Sequence, residues 1–173
     1  MKKQVVVLMG GTSGEREVSL RSGAAVAKAL VELGYQVRSI DVGEDMLAKL
    51  QEIRQDVDVV FNALHGSSGE NGCVQGVCEL LSLPYTHSDV LASAVAMNKP
   101  VAKNLFIQAG IPVPSGSLFS VKKILEGDPM PRPFVVKPID QGSSIGVHII
   151  REGESITFKT EAGTAGQMVL VEE

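Results

Sequence analysis

No stretch of this chain approaches the roughly 20 consecutive apolar residues that a membrane helix requires, so a spanning segment and a membrane partner are not expected. The run Val5 to Met9 follows Met1-Lys2-Lys3-Gln4 in the manner of a secretory leader. It is short, however, and meets Gly10-Gly11 where a small-residue cleavage site would have to stand. Cysteine is scarce: there are 2, Cys73 and Cys78. Five positions apart on one predicted helix, they point to different sides, which reads as packing by small apolar groups rather than a disulfide and suits a reducing cytoplasm. Basic clusters are missing too. The 16 lysines and arginines are scattered against 20 acidic residues, for a net charge of -4, which argues against a nucleic-acid partner. A complete G-x-G-x-x-G is absent, and so is a cluster of carboxylates followed by an asparagine.

What remains is a globular chain of 173 residues, 44% hydrophobic and 21% charged, able to bury a core in one or two domains. Its most informative stretch is His65-Gly66-Ser67-Ser68-Gly69-Glu70-Asn71-Gly72-Cys73-Val74-Gln75-Gly76, placed directly after the apolar run Val57 to Leu64. A buried strand ending in a histidine and four glycines delivers an imidazole and a carboxylate to the rim of a sheet, where open α/β sheets bind ligands. The bland alternative is a plain strand-turn-helix connection.

In chain order, Val5 to Met9 reads as a strand buried on both faces, followed by the turn Gly10-Gly11-Thr12-Ser13-Gly14. A helix follows, with Val18, Ser22, Val26, Ala29, Leu30 and Leu33 on its inner face and Gly34 at its end. On residues alone Glu15 is either an acid in that helix's first turn or a partner for a ligand amine. Strands are expected at 35–41 and 57–64, a short helix at 46–55, and a short fourth strand at Leu83-Pro84-Tyr85-Thr86. Strands alternating with helices predict a right-handed parallel sheet. Helices over 88–96 and 101–109 flank Met97-Asn98-Lys99-Pro100, and Ile111-Pro112-Val113-Pro114 marks a change of texture. Beyond it come a strand at 117–119, a helix at 121–126, and the strand Phe134-Val135-Val136-Lys137-Pro138. The loop 139–146, a return strand at 147–150 and a last strand at 168–173 complete the pattern, and 151–167, with little apolar periodicity, reads either as a loop or as a segment from which residues are missing. A lysine at the mouth of a glycine-serine loop suits phosphate: the ammonium neutralises charge while the N-H groups of Gly142, Ser143 and Ser144 form a concave anion site.

Two of these strings carry a family resemblance. H-G-x-x-G-E-[DN]-G with Gln-Gly three residues on, and G-G-T-S-x-E-[RH]-E-V-S after the first strand, resemble the D-alanine-D-alanine ligases of the ATP-grasp family. The strand-Lys-Pro, glycine-serine loop and return strand resemble the phosphate-covering hairpin of the same enzymes. The resemblance implies an α/β fold with a Rossmann-like parallel sheet and helices on both faces (1–111), then part of an α+β ATP-grasp domain (112–173). It implies an ATP-dependent ligase that joins two D-alanines through an acyl phosphate for peptidoglycan synthesis, in the cytoplasm and as a homodimer.

By the same resemblance Glu15 holds the ammonium of the first D-alanine, with Val18 and His65 beside the substrate, and Ser143 reaches across to Glu15 as the ATP loop closes. Lys99, Lys137, Gly142, Ser143, Ser144, Glu172 and Glu173 fall at the nucleotide site. Asn98 stands where the family usually has Asp. Mg²⁺ or Mn²⁺ is implied, with ligands beyond residue 173 and none in this chain. Two rivals stand beside this reading: a sister ligase forming D-alanine-D-lactate, and a non-catalytic nucleotide-binding or dimerisation module on the same domain.

Overall fold

The computed structural model describes residues 3–156 and 166–173, so much of the predicted loop at 151–167 lies outside the described residues. Backbone contacts divide the chain into two compact units, Met1–Ala94 and Val95–Glu173.

The first unit is built on a three-stranded parallel sheet in the order β2-β1-β3: β1 (Gln4–Gly10) lies between β2 (Gln36–Val42) and β3 (Val59–Asn62). Side chains alternate along β1 and both sets are buried, as its unbroken apolar sequence predicts. Val6 and Leu8 join one core with Leu50 and Ile53 of α2 (Met46–Ile53) and Val74, Cys78 and Leu81 of α4 (Cys73–Leu81). Val7 and Met9 face the other way, against Leu20, Val26, Ala27 and Leu30 of α1 (Arg16–Glu32). The sheet is therefore helix-covered on both faces.

The buried stripe of α1 is turned from the expected one. Ser19 and Gly23 are its buried residues, whereas Val18 is 43% and Leu33 74% exposed. The reason is close approach: a Cβ at Gly23 would lie 2.5 Å from Met9 Cβ, so no larger residue fits there. Gly34 ends the helix as expected, in the left-handed region at φ +88°, with its amide and that of Tyr35 bonded back to Val31 and Leu30. The predicted fourth strand is reduced to one parallel bridge between Val60 and Tyr85. Pro84, lacking an amide hydrogen, contributes only its carbonyl, to Val60.

The second unit holds an antiparallel sheet in the order β4-β7-β5-β6, made of β4 (Gly116–Ser120), β5 (Phe134–Pro138), β6 (His148–Ile150) and β7 (Met168–Glu172). Phe134, Val136, Ile150, Val169 and Val171 line one face with Val121 and Ile124 of α7 (Val121–Glu126). The division between units falls within α5 (Val90–Met97), so the Ile111–Pro114 connector lies inside the second unit, between α6 (Lys99–Gln108) and β4. Asn98 caps α6, its Oδ1 accepting the Val101 amide at 3.2 Å, so the residue that departs from the family pattern performs a helix-capping task itself. Among the described residues no helix is long and apolar enough to cross a membrane.

Candidate functional site

The sequence-predicted site residues fall into two groups, one in each unit. In the first, the backbone turns at Gly10 and Gly11 (φ +91° and +85°) and enters α1 through Glu15, which occupies the N-cap position. Glu15 is buried, and its carboxylate makes no cap hydrogen bond to the helix amides. Ser13 accepts from the Glu15 amide at 3.2 Å and donates to the His65 carbonyl at 2.7 Å, tying the loop after β1 to the loop after β3. Gly66, at φ +79°, is the point of closest approach: a Cβ there would lie 2.7 Å from Ser13 Oγ and 2.9 Å from Glu15 Oε2. The Glu15 carboxylate and the His65-Gly66 backbone thus meet beyond the carboxyl ends of β1 and β3.

His65 Nε2 lies 2.9 Å from Ser22 Oγ, and Nδ1 faces Glu70 Oε1 at 3.6 Å, an ion-pair distance rather than a hydrogen bond. Glu70 ends the single turn α3 (Ser67–Glu70), and the carbonyl of Gly69 before it accepts from two buried amides, Asn62 Nδ2 at 2.8 Å and Gln75 Nε2 at 3.4 Å. Val18, one turn on from Glu15, is exposed on the same helix. Arg16 reaches Asp41 at 2.6 Å and the carbonyls of Gly11 and Val42, clamping the ends of β1 and β2. Ser22, Asn62, Gln75 and Arg16 were not singled out as site residues by sequence. For Ser22 the signal was available: seven residues after Glu15 and four after Val18, it shares their helical face.

In the second unit, Glu172 is buried and accepts from two lysines at 2.6 Å each, Lys103 Nζ on Oε1 and Lys137 Nζ on Oε2. Burial pushes the Glu172 carboxyl up, but the hydrogen bonds from Lys103 and Lys137 outweigh it and hold the group below the usual carboxylate range. Lys99 Nζ donates to the carbonyls of Pro138 (3.0 Å) and Gln141 (2.5 Å), and its amide bonds to Ile139, so the start of α6 anchors the root of the 139–146 loop. Burial, and then the neighbouring Lys137 charge, lower the Lys99 pKa, with Asp140 and Glu172 opposing.

Lys99, Lys103, Lys137 and Glu172 line a cleft of about 450 Å³ whose apolar wall includes Phe106, Val113 and Leu170. Lys103 is absent from the sequence-based set, although its spacing of four from Lys99 on one helix face points to it. Glu173 is not in the cluster: it is exposed and accepts from Ser115 Oγ at 3.1 Å. In the loop itself Ser143 and Ser144 both adopt left-handed backbone, φ +49° and +59°, and the amides of Ile145 and Val147 close turns onto Gly142 and Ser144. Two successive non-glycine residues in that region hold strain of order 1–3 kcal/mol each, a feature that concentrates at ligand clamps. Among the described residues no group of three His, Cys, Asp or Glu stands close enough to hold a metal ion, so no residue here is assigned to one.

Comparison with known proteins gives a consistent result. Residues 43–88 match the family model described as "D-ala D-ala ligase N-terminus". The D-alanine--D-alanine ligase of Granulibacter bethesdensis is 50% identical over 99% of this chain and 56% of its own length. Among solved structures, D-alanine--D-alanine ligase from Bacillus anthracis aligns with TM-score 0.82 at 33% identity, covering 98% of this chain and 57% of that one. The same organism's ligase complexed with ATP aligns with TM-score 0.78 at 30% identity, over 99% of this chain and 56% of the other. The chain spans about half the length of the curated relatives it matches.

Proposed function

As the chain belongs to the family of D-alanine-D-alanine ligases, we propose that it supplies the first-substrate pocket and the nucleotide cleft of an ATP-dependent enzyme joining two D-alanines for peptidoglycan synthesis. In this reading Glu15 takes the ammonium of the first D-alanine, while Val18 and His65 border its side chain and carboxylate. Lys99 and Lys137 hold the phosphates of ATP. The Gly142-Ser143-Ser144 backbone folds over them. Glu172 takes the nucleotide's remaining polar groups, and Lys103 keeps it in place. ATP, when bound, supplies the phosphoryl group that activates the first D-alanine's carboxylate; the amine of the second D-alanine then displaces phosphate. Phosphoryl transfer depends on positioning and charge neutralisation, and lysines fixed to a strand and a helix provide both.

The observation that carries the reading is the lysine excess in the cleft of the second unit. Three lysines and one glutamate stand on its lining, Lys103 and Lys137 paired with that carboxylate and Lys99 bonded to backbone carbonyls, and the surplus positive charge suits a polyanion. The ATP complex of the Bacillus anthracis relative supports the same choice of ligand. A second copy of the chain is part of the reading, with apolar surface available at Leu80 and Leu91, 84% and 72% exposed.

The test is to supply the intact gene product with ATP, Mg²⁺ and D-alanine. Equal amounts of ADP and D-alanyl-D-alanine are expected. A depsipeptide formed preferentially from added D-lactate would reassign the second substrate. Nucleotide binding without ADP release would leave only a binding module.

A further inference from the structure

We infer that Ser22 holds His65 as its Nε2-H tautomer, so that Nδ1, the edge facing Glu70, is the nitrogen left outside the scaffold and the one a ligand meets. Three atoms around the Ser22 hydroxyl decide the direction of the bond. Its Oγ lies 3.0 Å from the Val18 carbonyl oxygen, 3.2 Å from that of Ser19 and 2.9 Å from His65 Nε2. A hydroxyl has one proton and two lone pairs, and the two carbonyls can only accept. Back-bonding of a helical serine to the preceding turn uses that proton. What Oγ then presents to Nε2 is a lone pair, so the nitrogen must donate. The reverse arrangement, with the hydroxyl proton on Nε2, leaves the oxygen facing two carbonyl oxygens at bonding distance with no hydrogen between them.

The consequence is a histidine with one nitrogen committed to the scaffold. Ser22, His65 and Glu70 lie in the order of a hydrolytic triad, in which the serine donates to the imidazole and becomes a nucleophile. Here the donation runs the other way, and Ser22 is a positioning residue. It fixes the ring plane and leaves Nδ1 opposite Glu70, whose carboxylate at 3.6 Å stands outside hydrogen-bond range. The other acid of this pocket, Glu15, meets the same loop at Gly66. The Nδ1 edge, as an acceptor, meets a ligand donor directly, and meets a ligand carboxylate only when that nitrogen carries a proton. That last step rests on the D-alanine reading; the tautomer does not.

The experiment is long-range ¹H-¹⁵N correlation spectroscopy on the intact chain with ¹⁵N-labelled histidine, at a pH where His65 is neutral. The Nε2-H pattern is expected for His65. Ser22→Ala is expected to move the tautomer ratio about five-fold toward the Nδ1-H form, the equivalent of one neutral hydrogen bond, and Ser22→Thr to restore it. Alanine is well tolerated in a helix, and circular dichroism confirms that the variant is folded. An Nδ1-H pattern in the parent chain, an unchanged ratio in Ser22→Ala, or covalent labelling of Ser22 by a fluorophosphonate would each overturn the inference. In the ligase assay Ser22→Ala is expected to raise the KM for D-alanine a few-fold and leave that for ATP unchanged. A tautomer shift in a protein that makes no dipeptide would refute the proposed function and leave the role of Ser22 standing.

Discussion

Lys137 and Glu172 stand on adjacent antiparallel strands, two residues out of direct register, and join Nζ to Oε2 at 2.6 Å on the face opposite Val136 and Val171. The same carboxylate takes Lys103 from α6 on its second oxygen. One buried acid thus binds a helix to a sheet and positions two cations at the edge of one cleft.

Removing that acid uncovers both lysines. Glu172→Gln keeps the shape and loses the charge, and is expected to cost about 3 kcal/mol because Lys103 and Lys137 lose their charged partner. Denaturant unfolding measures the loss. The pH dependence follows in sign: a carboxyl held below its ordinary value of 4.5 in the folded protein stabilises above that pH and ceases to as the pH falls through its depressed value. The stability gap between parent and Glu172→Gln should stay level from neutral pH down to about 5 and close below it. A gap that widens on acidification would contradict the assigned role.

Gly66→Ala tests the crowding of the first pocket. The substitution forces a side chain into φ +79° and puts its Cβ 2.9 Å from Glu15 Oε2. Strain of about 1–3 kcal/mol is expected, with displacement of Glu15 and a KM for D-alanine raised at least ten-fold. Kinetics with D-alanine varied at saturating ATP give the number; an unaltered KM would separate Glu15 from the substrate.

Gly23→Ala tests packing alone. Its methyl would fall 2.5 Å from Met9 Cβ, so α1 must move off the sheet at a cost of about 1–3 kcal/mol. Urea unfolding should show the loss without a change in nucleotide affinity.

Asn98→Ala removes the cap of α6 and is expected to cost about 1 kcal/mol, while Asn98→Asp should be close to neutral because either side chain accepts the Val101 amide. Thermal unfolding distinguishes the two. An equal loss in both would mean that the cap is not what this position supplies.

The parts of the molecule legible in sequence are those fixed by local patterns. The unbroken apolar run of β1, the glycine that ends α1, the helix Val121–Glu126 and the strand Phe134–Pro138 all follow from periodicity and turn chemistry. Lys99, Lys137 and Glu172 line one cleft in the second unit, and Glu15 and His65 share a loop junction in the first. What escaped depends on contacts between distant segments. Lys103 shares a helix face with Lys99, but its partner is fixed only when β7 brings Glu172 beneath it. Ser19 and Gly23 turn inward because Met9 leaves room for nothing larger. Tyr85 makes one bridge instead of a strand because Pro84 cannot donate.

Lys137→Ala tests the central claim most directly, because it removes one cation from the cleft assigned to the nucleotide. Calorimetric titration with ATP is expected to show an affinity at least ten-fold below that of the parent, the value of a hydrogen bond to a charged group. Equal affinities for the two proteins would contradict the assignment of this cleft to the nucleotide.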